Sequence, residues 1–297
     1  MNPVVLGIIY TVITGLLWMT LGVIFSKVAD KGEDVISFTT VSAFFSVLFS
    51  LFFINWGTVF NTPTPRMGTL TGIMLAVGTL NMLGAYVLII AMKKGHKGIT
   101  WVIGQSAMMI PFLASVVIWG NAVAGSGILG IILIVTMIGI MGAFQKNDNK
   151  QKYNHVWLLL SLSVFVMYGV QQTISTIPSR WYGWEDVNNL RVPLNMLGGF
   201  LCQEIMFVWG KKRVTKSSLL YGAVAAAFIL LGSHFVFLSL DTLSDSALLP
   251  FVYPLAIGLS IGGMSVYSYV FLKEKLRPMQ ITGLLLGLAG IILISIS

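Results

Sequence analysis

Ten apolar stretches, separated by short polar gaps that hold nearly all of the charge, run the length of this chain. They read as 3–26, 35–55, 68–92, 98–119, 126–144, 156–177, 187–209, 218–240, 247–272 and 279–296. A helix needs roughly 20 residues to cross a hydrocarbon core about 30 Å thick, and every stretch is close to that length. With no water in such a core, each segment has to satisfy its own backbone N–H and C=O groups, which a helix does. The expected fold class is therefore an all-α membrane protein with ten transmembrane helices.

Composition agrees. Only 9% of residues are charged and 56% are hydrophobic, against about 25% charged in a soluble domain. A water-soluble body of this composition has too little polar surface to cover itself, and no gap is long enough for a separate soluble domain. The first stretch lacks a basic leader and a small-residue cleavage site, so it is expected to be a retained span. A single cysteine, Cys202, excludes an internal disulfide and argues against a thiolate metal site.

The arrangement of lysine and arginine sets an orientation. Fifteen of the eighteen fall in alternate gaps, at 27–31, 93–97, 146–152, 211–216 and 273–277, and the other side keeps only Arg66, Arg180 and Arg191. The positive-inside rule places the fifteen in the cytoplasm, with both termini extracytoplasmic. The expected location is a cell membrane, inner or plasma, crossed many times. The net charge of +8 then reflects basic loops and not nucleic-acid binding.

The most polar gap, Gln145 to His155, divides the stretches five and five. The expected domains are a five-helix repeat over 1–144, a cytoplasmic linker over 145–155 and a second repeat over 156–297. Gly78-Thr79-Leu80-Asn81 and Gly232-Ser233-His234-Phe235 lie 154 positions apart, and the same offset brings Thr100 onto Pro254. The last stretch of each half is glycine-rich. Five crossings is an odd number, so the second copy enters from the opposite face: two inverted five-helix repeats, as in secondary transporters. The small-residue spacings Gly68–Gly72, Ser126–Gly130 and Gly283–Gly287 allow close helix approach. Packing within the chain and a homodimer seam formed by the fifth and tenth helices are both open.

With these halves in view, the chain resembles the drug/metabolite transporter superfamily, EamA-like. The stretch Tyr269-Val-Phe-Leu-Lys-Glu-Lys-Leu-Arg-Pro-Met-Gln-Ile-Thr-Gly283 is similar to that family's signature before its last helix. Gly78-x-x-Asn81 and Gly104-Gln105-Ser106 resemble the glucose/ribose and rhamnose uptake branch. Where the family often has Gly-Glu between the fourth and fifth helices, this chain has Gly120-Asn121. The resemblance implies carrier-type transport without a nucleotide-binding domain, either sugar uptake or export of amino acids, nucleotide sugars or drugs.

Nothing in the sequence supplies chemistry of another kind. There is no GxxxxGK[ST] phosphate loop, no HExxH and no nucleophile elbow. His96, His155 and His234 lie on different segments without ligand spacing. No catalytic residue, metal site or cofactor is expected, and the protein is read as no enzyme. The expected partners are a small-molecule substrate and the lipid bilayer, with the chain a monomer or a homodimer.

Polar side chains at membrane depth are costly and mark a pathway. Two ionisable side chains sit clearly within stretches, away from their ends, Glu204 and His234, and both are candidates for proton coupling. Each has a structural alternative: Glu204 as an interfacial carboxylate reaching Lys211 and Lys212, His234 as a hydrogen-bonded neutral imidazole. The candidate substrate-binding residues are Asn81, Trp101, Gln105, Gln171, His234 and Tyr253, with Gln172, Asn195 and Tyr267 also within spans. Amides offer donors and acceptors together, which suits hydroxyls or zwitterions. Aromatic faces suit a sugar ring or an organic cation. For each amide an interhelical hydrogen bond is the alternative. Trp181, Tyr182 and Trp184 are expected in an interfacial belt.

Pro111 is expected to kink the fourth helix, while Pro250 and Pro254 interrupt the ninth. Asp241, Asp245, Arg180, Glu185, Asp186 and Arg191 are expected as loop charges, with a gate ion pair at Arg191 as the alternative. The sequence thus predicts a secondary carrier for a small polar metabolite, sugar-like by preference, with proton coupling through Glu204 or His234. It would rock two halves about a cavity lined by the first, third, fourth, sixth, eighth and ninth helices. An exporter of amino acids or hydrophobic cations in the same fold is the alternative, and a non-transporting membrane scaffold is the alternative of another class.

Overall fold

The computed structural model describes residues 3–54, 56–61, 64–120, 124–143, 155–175, 177–178, 190–243, 252–274 and 276–295. These residues form helices joined by short turns, with no strand among them. In chain order they are α1 (Pro3–Asp30), α2 (Val35–Ser50), α3 (Trp56–Asn61), α4 (Thr64–Lys94), α5 (Lys97–Gln105) and α6 (Met109–Val117). Then come α7 (Gly125–Ala143), α8 (His155–Ser175), α9 (Arg191–Trp209), α10 (Lys216–Thr242), α11 (Val252–Val270) and α12 (Pro278–Ser295). Each of the ten apolar stretches contains helix. Six of the described helices are long and apolar enough to cross a membrane.

Two elements differ from the sequence expectation. The short α3 lies in a gap that was read as loop. The fourth stretch is two helices, α5 and α6, separated by a 3-10 turn over Ser106–Met108. Pro111 explains the position of that break. It sits at the third residue of α6, in the first turn, where its missing N–H has no intrahelical partner to lose. The irregularity therefore falls just before it, where its ring would crowd an ongoing helix. Pro250 and the side chain of Pro254 lie outside the described residues.

The principal pairings are α7 with α12, α1 with α10 and α11, α4 with α8 and α9, and α2 with α9 and α10. α5 packs on α8 and α11, and α6 on α8. Two crossings need glycine for space. A Cβ on Gly78 would strike the backbone of α9 at Asn195 and Gly199, and Gly130 and Gly290 each face the other's carbonyl across α7 and α12. Small residues bring backbones close in this way wherever burial alone gives little drive to associate. Gly283 and Gly287 also meet α7, at Ile140 and Met137. Gly68 and Gly72 meet nothing within 4 Å.

Unlike a water-soluble bundle, this one is apolar on its outer faces as well as in its core. The outer faces carry large apolar side chains, among them Val117, Leu159, Leu220, Phe271 and Leu285. Buried positions include many hydroxyls, such as Thr11, Thr14, Ser161 and Ser239. Most are satisfied within their own helix: Thr11 Oγ1 donates to Gly7 O at 2.9 Å and Thr14 Oγ1 to Tyr10 O at 2.9 Å. A hydroxyl bonded to the carbonyl one turn back leaves no unpaired group in an apolar surround.

Candidate functional site

A cavity of about 580 Å³ occupies the centre of the bundle. Side chains from α1, α4, α5, α8, α9, α10 and α11 line it. All six helices named from the sequence contribute, and α9 adds Arg191, Val192 and Asn195. Asn81, Trp101, Gln105, Gln171 and Tyr253 are brought together on its wall, five of the six residues singled out as substrate-binding. Gln172 joins them. The amides of Asn81, Gln105, Gln171, Gln172 and Asn195 make no hydrogen bond to another described residue. They are donors and acceptors held ready toward the cavity.

The aromatic floor is more constrained. Trp101 is 2% exposed, and its Nε1 donates to Ser260 Oγ at 3.1 Å. Its only indole donor is occupied, so it offers a cavity occupant a ring and no hydrogen bond. Phe25 meets it edge-on at 6.3 Å. Trp18 and Tyr168 have room because Gly232 and Gly84 lie beneath their rings. An apolar floor with convergent amides is the usual composition of a small-molecule site.

His234 does not line the cavity. Its ring lies 4.9 Å from that of Phe53, between α10 and the end of α2, and its neighbour Ser233 faces the cavity instead. Glu204 is half-buried on α9, also away from the cavity, and makes no ion pair among the described residues. Lys212, a partner considered for Glu204, binds Asp34 at 2.7 Å. Tyr267 stacks on Phe271 at 5.3 Å. Trp181, Tyr182, Trp184, Arg180, Glu185, Asp186, Asp245 and the side chain of Asp241 lie outside the described residues.

Sequence reasoning passed over Gln203, beside Glu204. It is fully buried and ties three helices: its Oε1 accepts from Thr39 Oγ1 at 2.8 Å, and its Nε2 donates to Met82 O at 3.4 Å. It thereby fills the interhelical role that had been weighed for the cavity amides. Arg191 was read as a loop charge, yet it opens α9 at the cavity wall, where its Nη2 donates to Ser175 O at 2.6 Å. Its place at the seam of gap and helix could have flagged it.

The cavity reaches helix ends on one side, at Ser175, Arg191 and Tyr253, and stops at Phe25, Ala85 and Trp101 on the other. Beyond Trp101 lies a packed layer of Ile24, Val28, Leu88, Ile89 and Met92. Beyond that layer the lysine-bearing gaps are stitched together by charge. Glu274 is the centre of the stitching. Its carboxylate accepts from Lys97 N at 3.1 Å, Gly98 N at 3.3 Å and Ser268 Oγ, and lies 3.0 Å from His96 Nδ1. Lys97 Nζ is 3.6 Å from Glu274 and 2.9 Å from Asp30.

The local backbone explains how Glu274 gets there. Lys273 takes a left-handed conformation, φ 54°, which costs about 1–2 kcal/mol in a non-glycine residue. The turn lets Glu274 N donate to Ser268 O at 3.1 Å and aims the side chain back at α5. Burial alone would raise the Glu274 pKa. The hydrogen bond and charge of His96, together with Ser268 and the Lys97 N–H, outweigh burial and hold the carboxyl down at about 2. The same face carries Lys212 on Asp34 and Lys31 Nζ on the Tyr221 hydroxyl at 2.7 Å. Burial raises the Asp34 pKa, but the Lys212 contact and the Ser37 N–H bring it below the ordinary value. A smaller recess of about 360 Å³ at this face is lined by Glu33, Asp34, Tyr86, Lys93 and Lys212. There Lys93 Nζ donates to the Glu33 backbone carbonyl at 2.6 Å.

Comparison with known proteins gives few names. No family model matches the chain. An uncharacterised protein of Methanocaldococcus jannaschii is 29% identical over 144 residues, which is 47% of this chain and 96% of that protein. A solved crystal structure with 14% sequence identity superposes with a TM-score of 0.62, covering 97% of this chain and 95% of that one. At that identity the likeness is one of fold alone.

Proposed function

We propose that this protein is a secondary carrier for a small, neutral, polyhydroxylated metabolite, sugar-like by preference, in the manner of the drug/metabolite transporters. Ten spans form two inverted five-helix repeats in the cell membrane, with the lysine-bearing loops in the cytoplasm. The helix pairings support this reading. Exchange of α1, α2, α4, α5/α6 and α7 with α8, α9, α10, α11 and α12 maps the α1–α10 pair onto α8–α4. It also maps α1–α11 onto α8 with α5 and α6, and α2–α10 onto α9–α4, while α7–α12 and α2–α9 map onto themselves. The Methanocaldococcus relative, matched over nearly its whole length by about half of this chain, fits a fold assembled from two copies.

One observation carries the functional reading: unbonded amides from α4, α5, α8 and α9 converge with aromatic rings on one central cavity. Hydroxyl-rich cargo can exchange bonds with such amides while a ring face rests on the aromatic floor. A hydrophobic cation, the cargo of the alternative exporter reading, calls for a nearby negative charge. The described lining carries Arg191 and no acid. Proton coupling by Glu204 or His234 would have to act through α9 or α10, since neither faces the cavity.

Uptake by proteoliposomes tests the proposal, with D-glucose, D-ribose, L-rhamnose, amino acids, nucleosides and quaternary amines offered with and without a pH gradient. Saturable uptake of one or more sugars is expected. No transport of any compound, with no thermal stabilisation by any, overturns the carrier reading and favours a scaffold, because a ligand that binds the native state raises its stability.

A further inference from the structure

The helix that carries the cavity floor is also the helix that the charge cluster holds. α5 is nine residues long, set off by the Gly95-His96 turn at one end and by the 3-10 turn over Ser106–Met108 at the other. Its first residues, Lys97 and Gly98, donate their N–H groups to Glu274. Its later residues, Trp101 and Gln105, line the cavity. Lys97 and Gln105 are about 12 Å apart along the helix at 1.5 Å per residue.

α5 is buried from Gly98 through Gly104. Thr100 Oγ1 accepts from Trp157 Nε1 of α8 at 2.7 Å, and Trp101 is bonded to Ser260 of α11. A rod packed this closely does not bend gradually, and packed interiors shift between discrete arrangements. Any displacement that cargo imposes on Trp101 or Gln105 therefore arrives at Lys97 and Gly98.

The two halves differ at this point. Gly120, between α6 and α7, has φ 67°, and Lys273, between α11 and α12, has φ 54°. The residue after the left-handed turn is Asn121 in the first half and Glu274 in the second. Only the second half supplies a carboxylate there, and Glu274 spends it on a helix of the opposite half.

We propose that Glu274 is a latch that holds the lysine-bearing face shut by clamping α5 to the α11–α12 turn, and that cargo seated on Trp101 and Gln105 works this latch through α5. Glu274 is a positioning residue and touches no cargo. The cargo half of the proposal rests on the carrier reading, whereas the clamp half does not.

Cysteine accessibility tests both halves without a known substrate. In a Cys202→Ala background, Ser26→Cys reports the latched face, because Ser26 is fully buried on α1 one turn before Asp30. Ser233→Cys reports the cavity. The probe is a hydrophilic maleimide applied to open membrane fragments, so that both faces are reachable. Glu274→Gln is expected to raise Ser26→Cys labelling about tenfold and to lower Ser233→Cys labelling, as two states exchange population. Glu274→Asp, which keeps the charge, restores part of the protection. Gln105→Trp, which fills the cavity floor in place of cargo, is expected to raise Ser26→Cys labelling with Glu274 intact.

Unchanged Ser26→Cys labelling in folded Glu274→Gln overturns the latch. So does a joint rise at both reporters, which indicates general loosening. If Glu274→Gln does not fold, Lys97→Met weakens the same clamp from α5 by removing the ammonium that contacts Glu274 and Asp30, and a smaller rise at Ser26→Cys without one at Ser233→Cys is expected. No effect of Gln105→Trp overturns transmission while leaving the clamp. A failed uptake panel removes the carrier reading and leaves the labelling result standing.

Discussion

The two ends of this bundle are closed by different means. At the lysine-bearing face, Asp30, Lys97, His96, Ser268 and Glu274 form a nearly saturated cluster over a packed apolar layer. Toward the other face, the polar part of the described cavity wall includes five amides with no hydrogen bond to a described residue and a single arginine, set among apolar side chains. Each arrangement suits a different task. Polar groups satisfied by one another hold helices in place, and removing one strands the rest. Polar groups left without protein partners hold little together and remain available to a ligand. In one molecule, polar side chains fasten helices at one end and stand without a hydrogen-bond partner among the described residues in the middle.

The largest expected effect comes from breaking the fastener. Glu274→Ala removes the acceptor of two backbone N–H groups and a serine hydroxyl, and leaves the Lys97 ammonium with Asp30 alone. It should lower stability by about 3 kcal/mol, the range for removing one member of a buried ion pair. Thermal melting in detergent measures this, and a loss below about 1 kcal/mol would erase the distinction between the two ends.

Truncating the receptor should do the reverse. Gln105→Ala or Gln171→Ala is expected to reduce uptake about tenfold, the worth of a hydrogen bond or two to cargo. Melting should stay within about 0.5 kcal/mol, as for positions that hold no structural contact. An equal loss of stability would show that these amides fasten helices after all.

Acid gives a smaller, graded effect. The folded pKa of Glu274 is depressed from 4.5 to about 2. Its contribution is therefore complete above pH 4.5 and is lost as pH falls toward 2, and Asp34 has the same sign. A melting series should show no decline from these two groups between pH 8 and pH 5, with a fall beginning below 4.5. A steep loss already near pH 6 would show that these two carboxylates do not set the acid limit of the fold.

The smallest effects are expected at the two ionisable residues away from the cavity. Glu204→Gln and His234→Ala should each change uptake less than about twofold, under 0.5 kcal/mol. Uptake driven by a pH gradient and abolished by either substitution would restore that residue as a coupling site.

Much of this was legible before any tertiary information. That each of the ten apolar stretches holds helix could be read because hydropathy is a property of short windows, and a backbone in an apolar surround has one local way to bond itself. The identities of the cavity amides were legible too, since Asn81, Gln105 and Gln171 stand out in apolar runs. What they face was not. His234 and Ser233 are neighbours on α10, and a turn of about 100° between successive residues sends one to Phe53 and the other to the cavity. Gln203 and Glu204 divide in the same way on α9. The break in the fourth stretch was half legible: Pro111 signalled it, but its tolerance in a first helical turn displaced it to Ser106–Met108.

By itself the sequence determined the helical character of the ten apolar stretches, their polar inventory and the uneven distribution of basic residues among the turns, because each follows from residues close together in the chain. The tertiary structure alone decided which side of each helix looks inward and that Glu274 binds the start of α5, 177 positions away. Rotation about a helix axis is set by packing against helices distant in sequence, and a carboxylate finds its donors only once those helices are in place.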